Sequence, residues 1–171
     1  YAADDNYLAS SDVAESLYAL FILFSGETFV SDIVDYNLRY FRQLFARLGW
    51  DKKPGEKHTN ALLRGFVISA LGKQGDAAIL AEAQRRFDAF IAGGKLDPDL
   101  RGTVYSLTAF GGNASRYKQL KELYLKTSSA EEKIRFLVSL SNFKDEKLLL
   151  KTLAFSLSSD VKSYSSVTIF T

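Results

Sequence analysis

The residues best suited to chemistry crowd into one stretch. "LGWDKKPGEKHTNALLRGF", from Leu48 to Phe66, holds the only Trp (Trp50), the only His (His58) and one of two Pro residues, Pro54. An imidazole two residues from a carboxylate, Glu56, has the makings of an acid–base pair or of a metal site. A zinc site without Cys needs carboxylates and a second His, and the chain has neither a second His nor H-E-x-x-H. No G-x-S-x-G elbow is present to supply a nucleophile. Lys52, Lys53 and Lys57 flank Pro54-Gly55, but the G-x-x-x-x-G-K-[ST] cradle for phosphate is missing. The stretch therefore reads as a structural corner. Trp50 follows a helix-ending Gly49 and folds back over the helices, the Pro-Gly pair turns the chain, and Glu56 lies in polar contact with His58 near a helix start.

A second set of residues repeats. "LRGFVISALGKQGD" begins at Leu63, "LRGTVYSLTAFGGN" at Leu100 and "IRFLVSLSNFKDE" at Ile134. Aligned, they bring Arg64, Arg101 and Arg135 into one register, followed by Val67, Val104 and Val138, at spacings of 37 and 34 residues. A guanidinium presents a planar fork that fits a carboxylate. Two uses follow. Each Arg lies along a helix seam and pairs with a carboxylate or a helix-end carbonyl, with Glu82, Asp99 and Glu132 as partners; this structural use is preferred. Alternatively the ladder faces a concave surface and offers charge to an acidic group such as a peptide carboxylate. Arg64, Arg101, Tyr105 and Arg135 are thus the substrate-binding candidates. Asp4, Asp5, Asp12, Glu131 and Glu132 read as caps or helix-dipole partners, because paired catalytic carboxylates normally come from separate elements.

These side chains need a frame, and apolar spacing supplies one. Val30, Ile33, Val34, Leu38, Phe41, Leu44, Phe45 and Leu48 form one helical stripe, with Arg39, Arg42 and Arg47 on other faces. Tyr117, Leu120, Leu123 and Tyr124 form another, which core packing explains. Start signals are Asp97 before Pro98, Asp76, Asn113, and Ser129 with Glu132 as a capping box. Stops are Gly49, Gly72, Gly93-Gly94 and Gly111-Gly112. Helix pairs are expected at about 12–24 with 29–48, 57–72 with 76–92, 98–110 with 113–126, and 130–142 with 145–158. Strand-like alternation is confined to the last residues, "SYSSVTIFT". A helical hairpin repeated at this period predicts an all-α protein: antiparallel hairpins stacked as a HEAT- or armadillo-like α-solenoid in a single domain over 1–171.

Composition excludes other classes. A length of 171 residues with 47% apolar content can bury one core. A net charge of +2 argues against nucleic acid as a partner. Absence of Cys excludes disulfides, thiolate zinc sites and Cys nucleophiles but does not fix the compartment, for which the cytoplasm is the expectation. "LYALFILF", Leu17 to Phe24, is too short to span a bilayer, so membrane insertion is not expected and a buried helix is. A chain starting at Tyr1 with no Met is expected to be a piece of something longer.

The corner stretch resembles a signature of the C-terminal helical domain of zinc-dependent aminopeptidases, the group of puromycin-sensitive, endoplasmic-reticulum and tricorn-interacting aminopeptidases. Leu48-Gly49-Trp50, Glu56, His58 and Leu62-Leu63-Arg64 carry the likeness. "EAQRRFDAF" (Glu82 to Phe90), "DPDLRGTVY" (Asp97 to Tyr105), "EEKIRFLVSLSNFKDEKLL" (Glu131 to Leu149) and "FSLSSDVKS" (Phe155 to Ser163) extend it. The resemblance implies a bowl of HEAT-like repeats that closes over a separate catalytic domain of the same parent chain, walls the peptide substrate and moves to admit it. It implies that the family's zinc belongs to that catalytic domain, and that no cofactor or metal belongs to this segment. It also implies further repeats beyond this segment. The rival expectation is a stand-alone HEAT-like scaffold for protein partners.

Overall fold

A computed structural model describes residues 7–161. Among them the secondary structure is helical throughout, with eight α-helices and one 3-10 turn. Asp4, Asp5 and the alternating residues from Ser163 onward lie outside the described residues. The chain divides into two compact units, the first running to Ile79 and the second starting at Leu80.

The first unit holds α1 (Tyr7–Leu23), α2 (Val30–Leu48), α3 (His58–Lys73) and the first residues of α4 (Ala77–Ile91). The α2 stripe is the reason for its packing: Phe41, Leu44 and Leu48 are buried with Ala61, Leu63, Val67, Ile68 and Leu71 of α3. Helix α1 packs on both α2 and α3. Phe66 is the aromatic meeting point, edge-on to Phe41 and to Tyr18. Polar ties fix the register. Asn37, buried, donates from Nδ2 to the Leu17 carbonyl at 2.9 Å. Arg42 donates from Nε to Asp76 Oδ2 at 2.9 Å, while Asp76 Oδ1 caps Ala78 and Ile79.

Three sequence expectations change here. Helix α1 is already formed at Tyr7, the first described residue, at least five residues before the position that the periodicity indicated. Its apolar run is not uniformly buried: Leu20, Ile22 and Leu23 stay exposed, because a run apolar on every face has more apolar surface than α2 and α3 can cover. Gly72 is buried inside α3, and Gly75, at φ +93°, supplies the left-handed turn that ends the helix region.

The second unit holds the rest of α4, the 3-10 turn Pro98–Leu100, α5 (Arg101–Phe110), α6 (Ala114–Lys126), α7 (Ala130–Leu140) and α8 (Glu146–Ser156). Helix α7 packs against α5, α6 and α8. Phe87, Tyr105, Leu107, Leu120, Tyr124, Phe136, Leu137 and Leu140 form its core. Caps set the helix starts as expected. Asp97 accepts from Asp99 N–H, and Asn113 from Ser115 and Arg116 N–H. Ser129 accepts from Glu132 N–H, but the capping box is half made, because the Glu132 carboxylate is drawn elsewhere. At Gly112 the packing is close enough that a Cβ would meet the Thr108 carbonyl oxygen at 2.5 Å and Phe143 Cε1 at 3.1 Å.

Candidate functional site

The corner around Trp50 is built on Arg64. Nearly two turns into α3, Arg64 is buried, 2% exposed. Its Nη2 donates to both Glu56 carboxylate oxygens, at 2.5 and 2.6 Å. Its Nε donates to the Gly49 carbonyl at 3.2 Å, and Nη2 reaches the Leu48 carbonyl at 3.3 Å. The last carbonyls of a helix lack intrahelical partners and carry partial negative charge, so a guanidinium there satisfies both. Glu56 also accepts from Lys53 N–H at 2.8 Å, closing the Pro54-Gly55 turn, with Gly55 at φ +75°. The Lys53 ammonium donates to the Arg47 carbonyl. Burial works to raise the Glu56 pKa. The hydrogen bonds from Arg64 and from Lys53 N–H outweigh it and hold the carboxyl below its usual value. Trp50 stands edge-on to Phe45, centroids 6.3 Å apart. His58 opens α3 and is exposed; Glu56 turns to Arg64.

Arg101, Tyr105 and Arg135 are brought together in the second unit, around Glu132. Helix α5 places Arg101 and Tyr105 one turn apart, and α7 does the same for Glu131, Glu132 and Arg135. Arg135 Nη1 donates to Glu132 Oε1 at 2.5 Å, and Nη2 to Glu131 Oε1 at 2.5 Å. The Tyr105 hydroxyl donates to Glu132 Oε2 at 3.0 Å. Arg101 is held more loosely: Nη1 lies 3.3 Å from Glu132 Oε1, Nε 3.4 Å from the Leu96 carbonyl, and the guanidinium carbon 5.8 Å from the Phe90 centroid. Below this polar cap lies an aromatic floor. Tyr105 stacks on Phe136 at 4.6 Å and meets Phe87 edge-on.

Burial again pushes the Glu132 pKa up, and bonds from Arg135, Tyr105 and Arg101 outweigh it, leaving the carboxyl below its usual value. Tyr105 is raised, first by burial and then by the Glu132 carboxylate. The cluster sets two guanidinium groups against two carboxyl groups. It holds no nucleophile and no base poised beside one. No group of three or more His, Asp or Glu able to hold a metal occurs among the described residues.

The four binding candidates thus separate. Arg64 serves the corner, while Arg101, Tyr105 and Arg135 share one carboxylate. Glu82, offered as an Arg partner, is taken by Arg85 and Arg86 on its own helix. Glu132, also offered as an Arg partner, does pair with Arg101 and Arg135, and its three-residue spacing from Arg135 was the sequence clue to the second pair.

The family described as ERAP1-like C-terminal domain matches residues 1–171. Aminopeptidase M1-A of Oryza sativa subsp. japonica is 38% identical over 134 residues, which cover 74% of this chain and 15% of that protein. Aminopeptidase M1 of Arabidopsis thaliana is 36% identical over 145 residues, 81% of this chain and 16% of that protein. Glutamyl aminopeptidase of Mus musculus is 35% identical over 108 residues, 62% of this chain and 11% of that protein. The matched stretch is thus about a sixth of the length of the plant relatives or less. The all-helical hairpin architecture agrees with these matches, and the chain belongs to the ERAP1-like C-terminal domain family of the M1 aminopeptidases.

Proposed function

We propose that this chain is the non-catalytic, HEAT-like part of a zinc metallo-aminopeptidase, walling the chamber in which the peptide is held and moving to admit substrate and release product. The observation that carries this is the match of all 171 residues to a family described by its C-terminal position. Three further facts support it. The sequence lacks H-E-x-x-H. The matched relatives bear the name aminopeptidase and are several times longer than the match. The residues of this segment are spent on helix packing, caps and charge pairs. Zinc and the cleavage step then belong to the catalytic domain of the same parent chain, which is also the partner of this domain. Peptide hydrolysis is its consequence, not its own act.

Within that role Arg101 and Arg135 are the groups of the candidate set that reach solvent, with side chains 30% and 24% exposed. We assign them to the distal end of the peptide, where the C-terminal carboxylate is the anion every substrate carries. Arg64 and Tyr105, both buried, hold the frame. The test is made in the intact aminopeptidase. Arg101→Ala is expected to raise KM for peptides of several residues and to leave single-residue reporter substrates nearly unchanged. Equal effects on both, together with a lower Tm, would reduce Arg101 to a structural role. A parent chain without a metal motif would leave a protein-binding scaffold instead.

A further inference from the structure

The two arginines of the cluster are not equivalent. Arg135 makes two bonds of 2.5 Å, one to each glutamate, so both of its terminal nitrogens are tightly engaged. Arg101 makes only contacts of 3.3 and 3.4 Å, at the long limit of hydrogen bonding, yet it carries the same charge and is more exposed. A guanidinium has five N–H donors, so Arg101 keeps donors to spare. Glu132 stands between them, 12% exposed, fixed by the Tyr105 hydroxyl and by the short bond from Arg135.

From this geometry we infer that Arg101 is the group that receives a carboxylate and that Glu132, aided by Glu131, is a resident counter-charge that restrains its binding. The inference rests on the reading of the cluster as the site for the distal end of a peptide, and it specifies how that site is regulated. Glu132 is the nearest partner of Arg101, at 3.3 Å against 3.4 Å for the Leu96 carbonyl, so it already stands where an incoming carboxylate would bind, while the Leu96 carbonyl and the Phe90 ring also place the guanidinium. Its effect on an incoming carboxylate is therefore repulsive rather than supportive. With two positive and two negative groups, the cluster carries no net charge and holds an anion weakly. A site of this kind releases its ligand readily, as an enzyme that must turn over peptides of shrinking length requires.

The experiment uses the intact aminopeptidase and one peptide of several residues prepared both as the free acid and as the C-terminal amide. Glu132→Gln keeps the shape and the acceptor for Tyr105 but removes the charge. It is expected to lower KM for the free acid by about three- to tenfold, the size of one partly screened like-charge interaction. KM for the amide is expected to move much less. Arg101→Ala is measured in parallel and is expected to abolish the preference for acid over amide. If Arg101→Ala abolishes that preference while Glu132→Gln raises KM for the acid, Glu132 positions Arg101 and the restraint is overturned. If Arg101→Ala leaves the preference intact, the carboxylate site itself is wrong. Should Glu132→Gln fail to fold, Glu131→Gln removes a charge from an exposed side chain (73%). A smaller fall in KM for the acid supports the restraint, and no change or a rise overturns it.

Discussion

Arg64 and Glu56 form a two-pronged bond at 2.5 and 2.6 Å, with side chains 3% and 7% exposed. The pair joins the start of α3 to the Pro-Gly turn, and the carbonyls of Leu48 and Gly49 complete the coordination of the guanidinium. Removing one partner leaves the other charge buried without a match. Arg64→Ala is expected to cost about 3–5 kcal/mol by denaturant unfolding. Arg64→Lys recovers only part of this, since one ammonium nitrogen cannot stand both where Nη2 meets Glu56 and where Nε meets the Gly49 carbonyl. A loss below about 1 kcal/mol for Arg64→Ala, the range of a surface pair, would refute the clamp.

Acid should weaken the protein. Glu56 and Glu132 both have carboxyl groups held below the ordinary glutamate value of 4.5 in the folded state. The unfolded chain then binds protons first as pH falls. The stability these groups lend is complete above the ordinary value and is lost as pH drops through the lowered folded values. Urea midpoints should be nearly flat from neutral pH to about 6 and fall below about 4.5. Glu56→Gln should flatten that acid slope while lowering the midpoint at neutral pH. An unchanged slope would mean that Glu56 does not contribute to it.

Tyr105 combines two interactions that substitution can separate. Tyr105→Phe keeps the stack on Phe136 and loses the hydroxyl bond to Glu132. It should cost about 1.5–3 kcal/mol, the range for a hydrogen bond to a charged group. Tyr105→Ala also empties the aromatic floor and should cost about 3–5 kcal/mol. Chemical denaturation of both variants provides the comparison. Equal losses would place the whole contribution in the hydroxyl.

Two glycines should respond with opposite sign to the same change. Gly102, in the first turn of α5, has open space where a Cβ would stand. Gly102→Ala should stabilise by about 0.4–1 kcal/mol through a less flexible unfolded chain. Gly112→Ala drives its Cβ against the Thr108 carbonyl and Phe143, and should destabilise by about 1–3 kcal/mol. Thermal midpoints of the two variants moving in the same direction would contradict this packing.

The legible parts of the fold were those written in local chemistry. The α2 stripe, the caps at Asp76, Asp97 and Asn113, and the Gly49 and Gly93 turns act within a few residues of themselves, so the sequence displays them. The start of α1 was not legible, since Ser10, Ser11 and Asp12 are residue types favoured at helix starts and here lie inside the helix. Gly72 misled because a glycine buried in a helix and a glycine ending one look alike until φ is known. At the candidate site, the register of Arg64, Arg101 and Arg135 was visible, and Glu132, three residues from Arg135, was among the partners offered. Only folding brings Glu56 to Arg64 and Glu132 to Arg101.

Trp50 makes the molecule its own optical probe. As the only indole, half-buried and edge-on to Phe45, it reports through fluorescence on the unit that runs to Ile79 and on nothing else. Helical circular dichroism sums over both units. Unfolding followed by the two signals in one titration therefore resolves whether the units melt as one cooperative block or in succession, without a label or a mutation.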